Sequence, residues 1–176
     1  MRWIAVALVA TAAALAGCGD GGRTPPAGMT VRSPAFAGGQ PIPTRYTCRG
    51  AGESPALSWS AGPSGTRAFA LVVDDPDAPG GTYTHWVVTD IPPGTRRIDA
   101  GGQPSGTVGR NSAGRATWTP PCPPAGTGTH HYRFTVYALP EPLRLSAGTK
   151  PGDAVRAVRD AARASGRLTG TVAATR

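Results

Sequence analysis

The three histidines of this sequence and three of its ten Asp and Glu residues fall in or beside two short stretches. The first, Asp74-Asp75-Pro76-Asp77-Ala78-Pro79-Gly80-Gly81, sets three carboxylates around two prolines, and His85 follows within one strand's reach. The second is Pro120-Pro121-Cys122-Pro123-Pro124-Ala125-Gly126-Thr127-Gly128-Thr129-His130-His131-Tyr132. Its prolines stiffen the chain, and its glycines leave backbone N–H groups open to a ligand. In strand alternation His130 and Tyr132 share one face and His131 points the other way, so His130 with Tyr132 is the better pair for a site. Carboxylate, imidazole and phenol are the usual acid and base groups of enzymes. A nucleophile is missing from the pattern, because there is no Gly-x-Ser-x-Gly and Cys122 is confined between prolines. His85, His130 and an Asp are a conceivable zinc set. The closely spaced helical histidine pair of many zinc sites is absent, however, and His130 and His131 diverge. No metal, cofactor or catalytic residue is therefore expected, and a hydrolase or lyase using the Asp/His groups is the lesser alternative.

These residues need a scaffold that ends strands at both stretches. Ala68 to Val73 is apolar throughout, which suits a central strand covered on both faces. Three acids bracketing two prolines cannot continue it, since proline removes a ladder donor and Asp competes for backbone hydrogen bonds. The chain must leave the core there, in a rigid loop of the kind that carries function. Short alternating or apolar pieces between Pro and Gly clusters predict strands at 30–33, 57–60, 68–74, 84–91, 132–139 and 168–173. In 132–139, Tyr132, Phe134, Val136 and Ala138 form the set that faces a core. One helix is predicted at 153–165: Pro151 and Asp153 suit its start, Val155, Val158 and Ala162 form its apolar stripe, and Gly166 provides a left-handed stop. Arg156, Arg159 and Arg163 lie on a solvated face with Asp160 as their ion-pair partner. Trp59, Trp86 and Trp118 read as packing residues, His131 as a surface residue, Asp74 as a turn cap and Asp90 as a strand terminator.

The first 28 residues stand apart from this pattern. Residues 1–17 carry Arg2 and then an apolar stretch, Trp3 to Ala16, too short to span a bilayer comfortably, which reads as a secretory signal. It ends Leu15-Ala16-Gly17-Cys18, which resembles the bacterial lipobox, where the cysteine becomes the lipidated first residue. Residues 18–28 have no apolar periodicity and read as a flexible tether, leaving 29–176 as one folded domain. The chain is thus expected to be exported and anchored to the bacterial cell membrane through lipid on Cys18. With Cys18 so used, Cys48 and Cys122 remain, either as a disulfide, which an exported compartment permits, or as two separate buried thiols.

Composition narrows the partners. The 176 residues carry a net charge of +8, but of the 18 Lys and Arg all except Lys150 are arginines scattered along the chain with no run longer than Arg96-Arg97. That scatter favours a solvated surface over a nucleic-acid site. The 25 glycines and 19 prolines lie between apolar runs and are not repeated, as in a loop-rich, mainly β fold.

Together these motifs resemble the phosphatidylethanolamine-binding protein (PEBP) family. Asp75-Pro76-Asp77-Ala78-Pro79, His85-Trp86-Val87-Val88, and Pro123-Pro124 with Gly126-Thr127-Gly128-Thr129-His130-His131-Tyr132 look like its two signature regions. Ser33-Pro34-Ala35-Phe36, Ile42-Pro43-Thr44-Arg45-Tyr46-Thr47-Cys48, Ser54-Pro55, Leu57-Ser58-Trp59 and Leu168-Thr169-Gly170-Thr171 are similar to its bacterial Raf-kinase-inhibitor-like branch. Arg49 stands where that branch usually has an acid, Trp118-Thr119-Pro120 replaces a tyrosine and glycine-rich approach, and a tyrosine near the C-terminus of animal members is absent.

The resemblance implies a mainly β fold of two antiparallel sheets with short peripheral helices, one of them near the C-terminus. It also implies a small surface pocket for phosphate-like anions or phospholipid head groups. By motif, Asp75, Asp77, His85, Pro123, Gly126, His130 and Tyr132 would line or support that pocket. A carboxylate bonded to an imidazole favours its charged form and fixes its orientation. On this reading the charged form of His85 or His130, with the open amides of 126–129, would meet the anion, and a spare carboxylate would meet an ammonium. Because relatives inhibit kinases or serine proteases, a protein partner such as a protease is the alternative function.

Overall fold

The apolar run that ends in the acidic loop becomes the middle of the larger of two sheets. In the computed structural model, which describes residues 27–146 and 148–175, the chain runs β1 (Ala27–Gly28), β2 (Val31–Arg32), β3 (Leu57–Trp59), β4 (Ala68–Asp75), β5 (Tyr83–Ile91), β6 (Arg97–Ile98), β7 (Thr107–Val108), β8 (Thr129–Leu139), α1 (Pro151–Ala161) and β9 (Ala164–Ala173). A six-stranded sheet has the order β1-β9-β8-β4-β5-β7, and a three-stranded sheet the order β2-β3-β6. All pairs are antiparallel except the short β1–β9 pair. Among the described residues, a 3-10 turn at Thr44–Tyr46 is the other helical piece. The signal segment 1–17, Cys18 and the tether up to residue 26 lie outside the described residues, while the last two tether residues form β1.

Alternation along β4 explains why no residue in it is polar until Asp74. Phe69, Leu71 and Val73 pack against Val31, Leu57, Trp59 and Ile98 of the small sheet, with Trp86, Phe134, Val136 and Leu168 beside them. Ala68, Ala70 and Val72 face the other way, against Ala154, Val155 and Val158 of α1. The strand is therefore buried on both faces and reads as a continuous apolar run. In β8 the set Tyr132, Phe134, Val136 and Ala138 faces the inter-sheet core as expected, while Tyr137 and Leu139 are covered by the helix.

The helix ends earlier than its periodicity suggests. Ala162 is already extended and β9 begins at Ala164, so Ser165 is a strand residue and Gly166 is not a helix stop. Ala164, Gly166, Leu168, Gly170 and Val172 alternate into the core, and this period-two burial outweighs the helical propensity of 162–165. Gly166 is needed there because a Cβ would fall 2.3 Å from the Met29 carbonyl oxygen. The ion pairs also differ from expectation: Arg156 pairs with Asp153, and Arg159 reaches Asp74 at 3.3 Å.

Cys48 and Cys122 form a disulfide across a sequence separation of 74, and Cys48 N–H also donates to the Pro121 carbonyl at 3.0 Å. The link ties the loop around the 3-10 turn to the proline-rich approach to β8. Closing a loop of this length stabilises by about 4 kcal/mol in the chain-entropy account. Denaturant unfolding of the Cys48→Ala/Cys122→Ala double variant should show a loss of that order. A variant as stable as the native chain would contradict it.

Candidate functional site

Asp75 ends β4 with both carboxylate oxygens already engaged. Oδ1 accepts the Asp77 N–H at 2.9 Å, closing the turn that Pro76 begins, and Oδ2 lies 2.7 Å from His130 Nδ1. Both residues are removed from water, with Asp75 3% and His130 1% exposed. The far side of the imidazole is also occupied: Nε2 lies 2.8 Å from the Thr127 hydroxyl oxygen. That hydroxyl donates its one hydrogen to the Pro124 carbonyl at 2.7 Å, so toward His130 it accepts and Nε2 carries a hydrogen. The result is a chain from Asp75 through His130 and Thr127 to Pro124. The Asp75–His130 pair has no net charge whichever partner holds the hydrogen between them.

His85 reaches the same place by a bulge in β5. Val73 pairs with Trp86, Asp74 with Thr84 and Asp75 with Tyr83, so His85 is an extra residue opposite none of them. A bulge re-aims side chains beside it. The His85 ring centroid lies 5.2 Å from that of Tyr132 and 4.8 Å from that of Tyr83. Its Nδ1 donates to the Thr119 carbonyl at 2.8 Å. Burial pushes its pKa below the ordinary value of 6.5, against the partial opposition of that carbonyl and of Asp75 and Asp74. His85 is thus the neutral imidazole of the site. Of the two histidines expected as candidates for a charged form held by a carboxylate, His85 is not the one, because desolvation outweighs the carboxylates. Burial, with Asp75 nearby, also pushes the Tyr132 phenol up, so it keeps its hydrogen.

The loop that presents Thr119 is organised by Asn111, which is 0% exposed. Its Nδ2 donates to the Thr117 carbonyl (2.9 Å) and the Thr119 hydroxyl (2.8 Å), and its Oδ1 accepts the N–H groups of Ala113 and Arg115 at 3.0 Å each. Trp118 Nε1 donates to the Gly52 carbonyl at 3.0 Å, fixing the other end. Sequence reasoning missed Asn111. The available signal was an Asn-Ser-Ala-Gly turn, since Asn side chains commonly bond the backbone two residues on.

Between these elements lies a cavity of about 340 Å³. Of the residues expected in a pocket, Asp75, His85, Pro123, His130 and Tyr132 line it. Tyr83, Thr119 and the prolines 79, 120 and 124 were not expected and line it too, Tyr83 because the bulge turns it inward. Asp77 and Gly126 are not among the lining residues. Asp77 is half-exposed and accepts the N–H and Nδ1 of His131, each at 2.8 Å, which holds its carboxyl below the usual range. The Gly126 N–H is bonded to the Thr175 carbonyl at 2.9 Å, so this amide is not open to a ligand as the glycine-rich pattern suggested.

A cavity of about 390 Å³ lies on the helix side of the same sheet, between Asp74, Arg133, Arg156 and Arg159. Its charges answer one another. Asp74, far from merely capping a turn, takes Arg133 in two bonds of 2.7 and 2.9 Å, and Arg156 is held by Asp153. We place the candidate site in the first cavity, where buried polar groups converge within apolar walls. No group of three or more His, Cys, Asp or Glu side chains among the described residues is placed to hold a metal ion.

The family model for the phosphatidylethanolamine-binding protein matches residues 32–173, and the chain belongs to that family. It is 45% identical over 190 aligned residues to the "Putative lipoprotein LppC" of Mycobacterium tuberculosis, covering 96% of this chain and 94% of that one. The crystal structure of Escherichia coli YbcL, described as a new member of the mammalian PEBP family, superposes with a TM-score of 0.76 at 31% identity, covering 81% of this chain and 96% of YbcL. A carboxypeptidase Y inhibitor, solved in complex with its cognate proteinase, shares the fold with a TM-score of 0.50 at 15% identity over 86% and 85% of the two chains.

The two acids of the loop should separate cleanly by mutation. Asp75→Ala leaves a buried imidazole without its partner and is expected to cost about 3 kcal/mol, whereas Asp77→Ala breaks a half-exposed pair and should cost under about 1 kcal/mol. Urea unfolding of both variants checks this, and equal costs would contradict the division of roles.

Proposed function

We propose that this chain is an exported, membrane-anchored binding protein whose pocket at Asp75, His85, Pro123, His130 and Tyr132 takes a phosphate-like anion or phospholipid head group. Asp77 and Gly126 act from outside it, as braces of the two loops. The observation that carries the reading is the Asp75–His130–Thr127 chain, which fixes a rigid polar floor inside walls of proline and aromatic side chains. It suits binding better than turnover, because both His130 nitrogens are bonded within the protein and neither is positioned as a base. The charge of Arg49, whose guanidinium bonds the Ala173 carbonyl, acts on Tyr132 and adds positive potential beside the pocket.

Anchoring through Cys18 is supported by the Leu15-Ala16-Gly17-Cys18 motif and by the lipoprotein name of a relative that aligns over 96% of this chain. No helix among the described residues is long and apolar enough to cross a membrane. A second reading, inhibition of a partner such as a serine protease, draws on the fold shared with an inhibitor solved on its proteinase. An inhibition assay against secreted serine proteases separates the two.

Calorimetric titration with inorganic phosphate and with phosphoethanolamine tests the first reading. Binding to the native chain, weakened at least tenfold in His130→Ala, is expected. Unchanged affinity in that variant would remove the pocket from the function.

A further inference from the structure

The pocket's hydrogen inventory restricts the form of anion it can take. A carbonyl only accepts, so the 2.8 Å contact with Thr119 puts a hydrogen on His85 Nδ1 and leaves Nε2 bare in the neutral ring. Nε2 is bonded to no described residue, yet it is not sealed from solvent: Trp59 Nε1 is the one fully buried side-chain polar atom without a partner among the described residues. His130 offers the cavity no hydrogen, since Asp75 and Thr127 occupy its two nitrogens. The wall prolines 79, 120, 123 and 124 have no N–H to give, and the Tyr132 phenol turns its hydrogen to Asp75, so the hydroxyls of Tyr83 and Thr119 are the side-chain donors left for an anion's other oxygens. The titratable groups around His85 are Asp75 and Asp74 from β4, His130 and Tyr132 from β8, and Tyr83 from its own strand. The loop on its remaining side contributes Trp118 and Thr119, which carry no charge. The Asp75–His130 pair sums to zero and burial favours neutral His85, so the positive charge felt at the pocket is that of Arg49, which acts on Tyr132 from a guanidinium bonded to the Ala173 carbonyl.

A fully ionised phosphomonoester has oxygens that only accept, and in His85 it meets another acceptor. The same ester with one hydrogen left on its phosphate has an O–H to donate. We propose that the pocket selects a phosphomonoester in its singly protonated form, with the P–O–H donating to His85 Nε2, so that the anion binds together with one proton. This rests on the anion-binding reading above and narrows its ligand class to monoesters over diesters. The proton comes from solvent. Whether it stays on oxygen or passes to Nε2, the complex holds one hydrogen more than neutral His85 and the free dianion. The second ionisation of such esters falls near pH 6, so affinity declines about tenfold per pH unit above that point. A diester has no O–H and must instead place the proton on a buried imidazole, which desolvation opposes.

The test is calorimetry of the full chain with methyl phosphate and dimethyl phosphate from about pH 5 to 8, each pH repeated in buffers of different ionisation heat. Methyl phosphate should bind with uptake of about one proton at the alkaline end and almost none at the acid end. Dimethyl phosphate should bind at least tenfold more weakly near pH 6. His85→Phe, which keeps a ring among Tyr83, Trp118 and Tyr132 but has no acceptor, should weaken methyl phosphate at least tenfold and abolish the uptake. Methyl phosphate bound with no proton uptake, or the two esters bound equally, overturns this inference and leaves the anion reading intact. No heat from either ester at any pH refutes the anion reading, and this inference with it.

Discussion

The contact between Asp75 and His130 is taken almost wholly out of water, and a pair in that position is stable only if every other lone pair and hydrogen is satisfied. The protein meets this condition with backbone and near neighbours. Asp77 N–H covers the free oxygen of Asp75, and the Thr127 hydroxyl covers the far nitrogen of His130 while holding the Pro124 carbonyl. The two dense stretches of the chain are therefore halves of one hydrogen-bonded unit. Their spacing in sequence, from residue 75 to residue 130, is closed by the direct pairing of β4 with β8.

The sheet keeps two charge systems apart by alternation alone. Asp74 and Arg133 pair across β4 and β8 on the helix face, and Asp75, His130 and Tyr132 occupy the other face. One residue of register decides which acid becomes part of the pocket. The β5 bulge at His85 does comparable work on the neighbouring strand, since it turns Tyr83 inward beside Asp75. The Asn111 loop and the Cys48–Cys122 disulfide then fix the remaining wall from behind.

Much of this arrangement was legible in the residues. The uninterrupted apolar run at 68–73 announced a strand covered on both faces, and the His130/Tyr132 alternation separated a site histidine from a surface one. What was not legible depends on contacts distant in sequence. Gly166 looked like a helix stop because its close approach to Met29 cannot be read locally. Gly126 looked like an open amide because its acceptor, Thr175, lies on the far side of β8 and β9. Asp77 seemed equivalent to Asp75 until the turn geometry aimed it at His131. The inward position of Tyr83 followed from a bulge that alternation, by construction, cannot register. Desolvation of His85 is likewise a property of the packed fold, and it reverses the charge that a carboxylate neighbour alone would favour.

The central claim is that the protein itself consumes the hydrogens of both site histidines, leaving His85 Nε2 as a bare acceptor. Nitrogen-15 NMR of the imidazole rings at neutral pH tests it most directly. The account predicts His85 as the Nδ1–H tautomer with an unprotonated Nε2, and His130 with a hydrogen on Nε2. A His85 ring carrying its hydrogen on Nε2, or a His130 ring with that nitrogen bare, would contradict it.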